Sequence, residues 1–207
     1  MNEQDSAQFS EYFQLNHAIE VNISKGDVLS NTPTDDEFDT LIPLPYKLAS
    51  EMKGVEQNML RPLRQLGDVI EPLADYLKAQ SRKIDLMMHY ILQAQDENDD
   101  RHLTVSFGGG GFIFSSPDSY SKEDYLVCKL FFNDEASAIY CLGRVIEQSD
   151  NDKQGDEGDE GDERETLYTV LFHKIRDEDR ETVVRASLHQ QSKQLLKKTQ
   201  KRDSENS

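Results

Sequence analysis

Residues 103–115 have the sequence LTVSFGGGGFIFS, and this stretch decides the fold of the chain. Aromatic and β-branched residues on both sides of four glycines predict two strands joined by a glycine turn or bulge. A glycine run in such a place marks either a bend of the sheet or backbone that another group approaches closely. The sequence leaves both readings of Gly108 to Gly111 open: a barrel bend, or a backbone surface open to a ligand.

Further strands are predicted on both sides of this stretch. Apolar residues alternate with polar ones over 12–24, which is typical of a half-buried strand. Residues 125–132, 138–147 and 166–175 form three more strand-like segments. Strands in this order, with the helices segregated from them, predict an antiparallel α+β barrel or sandwich.

A helical insertion is predicted over residues 46–97, which are rich in helix-forming side chains. Apolar residues recur there at coiled-coil spacing, although Pro62 and Pro72 predict a break or a kink. A second apolar set that includes Tyr76, Leu86 and Tyr90 gives the helix two faces, and two faces need two partners. We therefore expect self-association through this insertion, the alternative being packing onto the chain's own sheet. The expected oligomerisation residues are Leu63, Leu66, Ile70, Leu73, Leu77, Ile84, Met87 and Ile91.

The chain is expected to hold one domain, residues 10–200, that ends in a helix beginning near Asp177. Acidic residues at the start of this helix and lysines at its end suit the helix dipole, and Val184, Leu188 and Leu195 mark one of its faces. Residues 148–165 are acidic and rich in glycine, so we expect a disordered loop there. Residues 1–9 and 201–207 are expected to be flexible termini.

The formal net charge of −17 makes nucleic acid and anionic membranes poor partners. The first residues lack the pattern of a secretory signal, and no apolar run is long enough to cross a membrane. Cys128 and Cys141 lie in strand-like segments and are expected to be free, buried thiols. These features favour a cytoplasmic protein without membrane insertion.

No catalytic or metal-binding motif is present in the sequence. The glycines at 108–111 are not followed by Lys-Ser or Lys-Thr and lack the dinucleotide-binding spacing. The histidines are scattered along the chain and do not suggest a metal cluster. We therefore expect no enzymatic activity, no metal and no cofactor.

Residues 105–112, VSFGGGGF, resemble the second motif of PilZ domains, with Thr104, Ser106 and Gly109 at its positions. The segment from Phe172 to Glu181, followed by a basic helix, resembles the end of the same domain. The helical insertion ahead of the glycines is similar to that of the atypical PilZ subfamily. This resemblance implies a PilZ-like barrel with a helix-bundle insertion and a C-terminal helix, assembled as a tetramer.

The resemblance also implies cyclic di-GMP as a possible ligand, at Ser106, Gly108 and Gly109. The first motif of typical PilZ domains is Arg-x-x-x-Arg, whose planar cations suit stacking on bases and pairing with phosphates. Ser10 and Gln14 stand at those positions in this sequence, so the motif is degenerate. The expected function is a non-enzymatic signalling scaffold that contacts a regulatory protein. The alternative is a cyclic di-GMP receptor with an unusual site that uses Ser106, the glycine backbone and arginines such as Arg101 or Arg144.

Overall fold

The computed structural model describes residues 2–26, 32–50, 71–95, 100–150 and 165–205. The helices are α1 (Glu3–Ser10), α2 (Asp35–Leu41), α3 (Glu71–Gln95) and α4 (Asp177–Glu205), and residues 44–50 are also helical. The strands are β1 (Gln14–Asn16), β2 (Glu20–Lys25), β3 (Arg101–Gly108), β4 (Gly111–Ser116), β5 (Tyr125–Phe132), β6 (Ser137–Asp150) and β7 (Thr166–Lys174). Three predicted oligomerisation residues, Leu63, Leu66 and Ile70, lie outside the described residues.

Six strands form a closed antiparallel barrel in the order β3-β2-β5-β6-β7-β4, and β4 pairs back onto β3. The short strand β1 continues along the same side of β3 as β2, with Gln14 opposite Gly108. Closure removes the unpaired edges that an open sheet would expose. The predicted α+β antiparallel barrel with a long helix and a C-terminal helix is therefore confirmed.

Aromatic rings fill the barrel, because alternate residues of each strand point inward. Phe107, Phe112 and Phe114 are fully buried. The centre of the Phe114 ring lies 5.4 Å from that of Tyr168 and 5.6 Å from that of Tyr120. Burial among these rings raises the pKa of the Tyr120 hydroxyl to about 12.

The interior is extended by α4, which packs Val183 and Ala186 into the core of the barrel. The face that the sequence spacing marked is turned outward instead, since Leu188 and Leu195 are both exposed. A helix that packs against a closed barrel needs only a narrow apolar stripe. Here the small side chains of Val183 and Ala186 form that stripe.

The N-terminus differs from the expected flexible stretch at 1–9, because residues 3–10 form α1. The Asn2 side chain caps this helix by accepting a hydrogen bond from the Gln4 amide. Phe9 packs against Ile146 and Leu171 on the outside of the barrel. Tertiary packing therefore orders a segment whose own composition is polar.

Several other boundaries also differ from the expectation. The predicted strand at 12–24 is divided into β1 and β2, because the Thr104 hydroxyl accepts a hydrogen bond from the Ile19 amide and donates one to the His17 carbonyl between them. Strand β6 continues to Asp150, inside the expected loop 148–165, and residues 151–164 lie outside the described residues. Helix α4 continues past residue 200 to Glu205, within the expected flexible C-terminus.

Candidate functional site

All four glycines of the 108–111 run are buried. A Cβ atom added at Gly108 would lie 2.2 Å from the Phe13 carbonyl oxygen, and one at Gly110 would lie 2.7 Å from the Phe9 carbonyl oxygen. Real Cβ atoms do not approach other atoms so closely, so only glycine lets the N-terminal segment lie here. The backbone surface that the sequence offered for a ligand is covered by the chain's own residues 8–14.

Ser106 is buried in β3, between Asn16 of β1 and Ile113 of β4. It lies on the same strand as Gly108, so the structure brings the three predicted ligand-binding residues together. It brings them together underneath the N-terminal segment, where a ligand would first have to displace that segment.

The two positions that carry arginine in typical PilZ domains flank this covered surface. Ser10 is exposed at the end of α1, and Gln14 begins β1. The side-chain amide of Gln14 has no hydrogen-bond partner for either its oxygen or its nitrogen among the described residues. Neither side chain offers the cation that a phosphate group requires.

A different arginine reaches the glycine run, from the start of α4. The guanidinium of Arg180 donates a hydrogen bond to the Gly109 carbonyl. It also lies 5.5 Å from the centre of the Tyr12 ring and 6.0 Å from that of Phe172, both cation–π contacts. Arg180 therefore ties α4, the glycine turn and the N-terminal segment together.

An open cavity of about 520 Å³ lies beside Arg180, and we call it the Tyr12 cavity. It combines an aromatic ring with two cations and two carboxylates, so it can contact both flat and charged groups. Its lining residues are Tyr12, Asp177, Arg180, Glu181, Val184, Arg185 and Leu188. The cavity was not predictable from sequence, since residues 12 and 177–188 meet only in the folded chain.

The arginines expected for an unusual nucleotide site are engaged elsewhere. Arg144 contacts the carboxylates of Asp5 and Glu123, each at 2.5 Å. Arg101 donates to the Gln93 carbonyl at 2.7 Å and lies 3.7 Å from the Glu20 carboxylate. Neither Arg101 nor Arg144 lines the Tyr12 cavity, whose arginines among the described residues are Arg180 and Arg185.

The second candidate site is α3, which packs one face on the barrel and leaves its other apolar side chains exposed to solvent. One face packs on the barrel through Ala74, His89 and Leu92, all of them buried. About 100° around the helix lies a stripe of large apolar side chains, each at least 40% exposed, which we call the heptad seam. Its residues are Leu73, Leu77, Ile84, Met87 and Ile91.

A third stripe of α3 carries Tyr76, Leu86 and Tyr90, of which Tyr90 is 72% exposed. The helix thus leaves two apolar stripes exposed to solvent. Its own domain covers only the face that carries Ala74, His89 and Leu92. Exposed apolar surface that is continuous along a helix marks an interaction site.

Polar contacts attach α3 to the turn at residues 133–136, which joins β5 to β6. The Arg82 guanidinium donates to the Asp134 carbonyl at 2.9 Å, and His89 Nε2 lies 2.7 Å from Asn133 Oδ1. The same turn contacts α4, where Lys193 lies 3.0 Å from the Asp134 carboxylate. The hydrogen bond from Lys193 lowers the pKa of Asp134. Both long helices are therefore connected through one turn.

In the described part of the chain, no three His, Cys, Asp or Glu side chains lie together so that they could hold one metal ion. Cys128 and Cys141 are free, fully buried and directly opposite each other on β5 and β6. Burial raises the pKa of the Cys141 thiol, which makes it a poor nucleophile. No helix within the described ranges is long and apolar enough to span a membrane.

Comparison with solved structures identifies similar folds. One is a protein of Xanthomonas campestris described as a tetrameric PilZ domain self-assembled via an unusual helical bundle; it is 11% identical, with a TM-score of 0.51, over 95% of this chain and 99% of that one. Another is the Bacillus subtilis inhibitor of motility, 10% identical with a TM-score of 0.46, over 88% of this chain and 51% of that one. A third is the PilZ domain of YcgR from Escherichia coli with cyclic di-GMP, 9% identical with a TM-score of 0.35, over 51% of this chain and 84% of that one.

No protein-family model matches the chain, and no curated protein matches it. The likeness to the Xanthomonas protein spans nearly the whole of both chains. At this level of identity the likeness concerns the fold.

Proposed function

We propose that this chain, which has the PilZ fold, is a non-enzymatic signalling scaffold of the cyclic di-GMP receptor class that assembles with copies of itself through α3. In this role it contacts a regulatory protein, in the cytoplasm. The single observation that carries the proposal is the heptad seam of α3, a row of apolar side chains that its own domain leaves exposed.

The spacing of the seam argues for a second helix of the same kind as its partner. Leu73, Leu77, Ile84, Met87 and Ile91 follow steps of four, seven, three and four residues, the pattern by which helices interlock side chains in a bundle. Burial of apolar surface supplies the driving force, roughly 25 cal/mol per Å² removed from water. A second copy offers an identical seam, so the interface is self-complementary.

The comparison supports the same reading. The Xanthomonas protein, similar over almost its full length, is described as a tetramer formed through a helical bundle. We therefore infer a homotetramer in which α3 contributes the bundle.

The degenerate motif supports a scaffold in preference to a nucleotide receptor. Two phosphates and exposed base faces require fixed planar cations, whereas Ser10 and Gln14 supply none. The glycine backbone that remains is covered by residues 8–14.

Light scattering on the full chain tests the assembly. The wild type is expected to have the mass of four chains, and a Leu77→Asp, Met87→Asp double variant to have the mass of one, because buried unpaired charge is costly. Leu103→Asp is the matched control: Leu103 is 58% exposed on β3, away from the seam, so its variant should keep the wild-type mass. A monomeric wild type at micromolar concentration refutes the proposal.

A second candidate function is a cyclic di-GMP receptor that uses the Tyr12 cavity. The observation in its favour is the meeting of an aromatic ring with Arg180 and Arg185 in about 520 Å³. Calorimetry with the nucleotide separates the two candidates. A dissociation constant near 1 μM, about −8 kcal/mol, that Tyr12→Ala weakens would replace the scaffold by the receptor.

A further inference from the structure

The outer face of α4 carries a line of side chains that the barrel does not cover. They follow steps of four, three and four residues, which places them on one side of the helix. Leu188 and Leu195 are each more than half exposed. We call this surface the α4 line, and its residues are Val184, Leu188, Gln191 and Leu195.

The barrel holds α4 in a fixed position, so the α4 line is a preformed surface. The Lys193 ammonium lies 3.0 Å from the Asp134 carboxylate, and the Gln194 side chain donates a hydrogen bond to the Asn16 carbonyl at 3.1 Å. A partner that binds here does not have to order the helix first, which lowers the entropic cost of binding.

The Tyr12 cavity opens at the upstream end of the α4 line. Val184 and Leu188 belong to both surfaces, and Tyr12 adds an aromatic ring to the cavity lining. A cavity of about 520 Å³ has room for a bulky apolar side chain. Buried anchors of this kind commonly dominate the binding energy of protein interfaces.

The part of α4 that carries most of this line is strongly basic. Residues 185–202 include six Lys or Arg side chains and no Asp or Glu, in a chain whose net charge is −17. At 100° per residue, Arg185 lies to one side of the α4 line and Lys198 to the other, and both are exposed. An apolar centre with cationic flanks is complementary to an acidic partner.

We propose that the α4 line docks an amphipathic helix of a partner protein, one that carries apolar residues at heptad spacing with Asp or Glu on both sides of them. Leu188 and Leu195 interlock with the apolar residues of that helix, and a bulky side chain enters the Tyr12 cavity. Its carboxylates pair with Arg185 and Lys198. This inference rests on the proposed function, in which the chain contacts a regulatory protein, and it adds the place and the chemistry of that contact.

Charge favours such a helix over the other partners that an apolar, basic face could take. A second copy would bring two basic helices together, because pairing Leu188 with Leu195 of that copy in antiparallel places Arg185 opposite Lys198. An anionic membrane would bring its whole surface close to a chain that is acidic elsewhere, whereas a single helix reaches α4 alone.

The test uses a labelled peptide of three Glu-Leu-Ala-Ala-Leu-Glu-Glu heptads, added to the full chain and followed by fluorescence anisotropy. A dissociation constant at or below about 100 μM is expected. Two control peptides are expected to bind at least about tenfold more weakly. One has the same composition with its leucines spread around the helix, and the other has Gln in place of every Glu.

Variants of α4 assign the binding to this face. Leu188→Asp with Leu195→Asp should abolish it, and because both side chains are exposed the variant should keep the wild-type circular dichroism spectrum. Leu103→Asp is the matched control, since Leu103 is equally exposed but lies on β3, and it should bind as the wild type does.

The charged flank is tested separately. Lys198→Gln should weaken the acidic peptide at least about threefold, because it removes a cation beside the α4 line. Lys122→Gln should leave the affinity unchanged, since Lys122 is an exposed lysine between β4 and β5. Amide shifts on peptide binding are expected in residues 184–198 and not in α3, which separates the α4 line from the heptad seam.

Absence of peptide binding, equal binding of either control peptide, or unchanged binding by the Leu188→Asp, Leu195→Asp variant overturns the proposal. A lower mass of that variant in light scattering assigns the face to a second copy instead, and wild-type binding to phosphatidylserine vesicles that the variant loses assigns it to a membrane. A monomeric wild type that binds the peptide refutes the assembly through α3 alone, whereas a tetramer that does not bind it refutes the docking alone.

Discussion

The barrel and α3 bury their apolar residues in opposite ways. Along the barrel strands, apolar side chains such as Phe107, Phe112 and Phe114 point inward, and the chain alone covers them completely. Along α3, one narrow stripe faces the domain while larger side chains such as Met87 and Tyr90 face solvent. The barrel therefore covers its apolar side chains within a single chain, whereas α3 leaves many of its apolar side chains exposed.

The largest expected effect concerns the barrel interior. Phe114→Ala removes a ring that contacts Phe112, Tyr120 and Tyr168, and it should lower the free energy of unfolding by about 3–5 kcal/mol. Phe13→Ala is the control, because Phe13 is 54% exposed, and it should change the free energy by less than about 1 kcal/mol. Urea unfolding followed by circular dichroism measures both. Equal losses in the two variants would show that the barrel does not depend on its interior rings.

Two glycine variants are expected to affect different parts of the molecule: Gly111→Ala the barrel, and Gly109→Ala the N-terminal segment that covers it. A Cβ at Gly111 would lie 2.0 Å from the Val170 carbonyl oxygen of β7, so Gly111→Ala must displace a strand and should cost about 1–3 kcal/mol or more. A Cβ at Gly109 would meet the Tyr12 ring at 2.4 Å, and a side chain can move more easily than a strand.

Gly109→Ala should therefore cost less and should release residues 3–14 in preference to the barrel. Hydrogen exchange detected by mass spectrometry checks this, with faster exchange expected in α1 and unchanged exchange in β4 and β7. Faster exchange throughout the barrel in Gly109→Ala would contradict the distinction.

A smaller effect is expected where α3 meets the 133–136 turn. Arg82→Ala removes the hydrogen bond to the Asp134 carbonyl and should cost about 0.5–1.5 kcal/mol, seen as faster amide exchange in α3 and in the turn. Lys78→Ala serves as the comparison, since Lys78 pairs at 2.8 Å with Asp75 inside α3 and an exposed pair contributes about 0–1 kcal/mol. If both variants leave exchange in the turn unchanged, Arg82 does not hold the helix.

The smallest effect is the response of the barrel to pH. Burial lowers the pKa of His102 below its ordinary value of 6.5, although nearby Asp118, Asp100 and Glu165 oppose the shift. The unfolded chain then binds the proton more readily, so stability is full above about pH 6.5 and falls as the pH drops through the folded-state pKa. His102→Gln should reduce the loss of stability between about pH 7.5 and about pH 5.5, measured as the urea midpoint. The same pH dependence in variant and wild type would assign the response to other groups.

The positions of most strands and the spacing of the heptad seam could be predicted because each follows from a short repeat in the sequence. The inward positions of β3 and β4 alternate along the strand, and Leu73 to Ile91 recur with helical spacing, so both patterns are visible without the fold. The interruption at His17 to Ile19 was not predictable, since it depends on Thr104, which is distant in sequence.

The role of the glycine run could not be decided from sequence for a related reason. A bend of the sheet and a close approach of other backbone both require residues without a Cβ atom at Gly108 to Gly111. Only the positions of Phe9 and Phe13 in the folded chain show that close approach is the reason. Helix α1 had a weak signal, the Asn2 cap followed by acidic residues, but its one buried apolar side chain, Phe9, gave no repeat. Arg180 and His89 were missed because each acts through contacts with distant elements.

The adjacency of buried and exposed residues on α3 has a consequence for how its length can vary. Leu73 stands next to Ala74, and Ile91 next to Leu92, so one inserted residue would rotate all that follows by about 100°. The seam would then turn onto the domain and the attachment residues would turn outward, which would end both the proposed assembly and the packing of α3 on the barrel. Seven residues make about two turns, so related chains that keep both contacts are expected to differ here by whole heptads and not by single insertions.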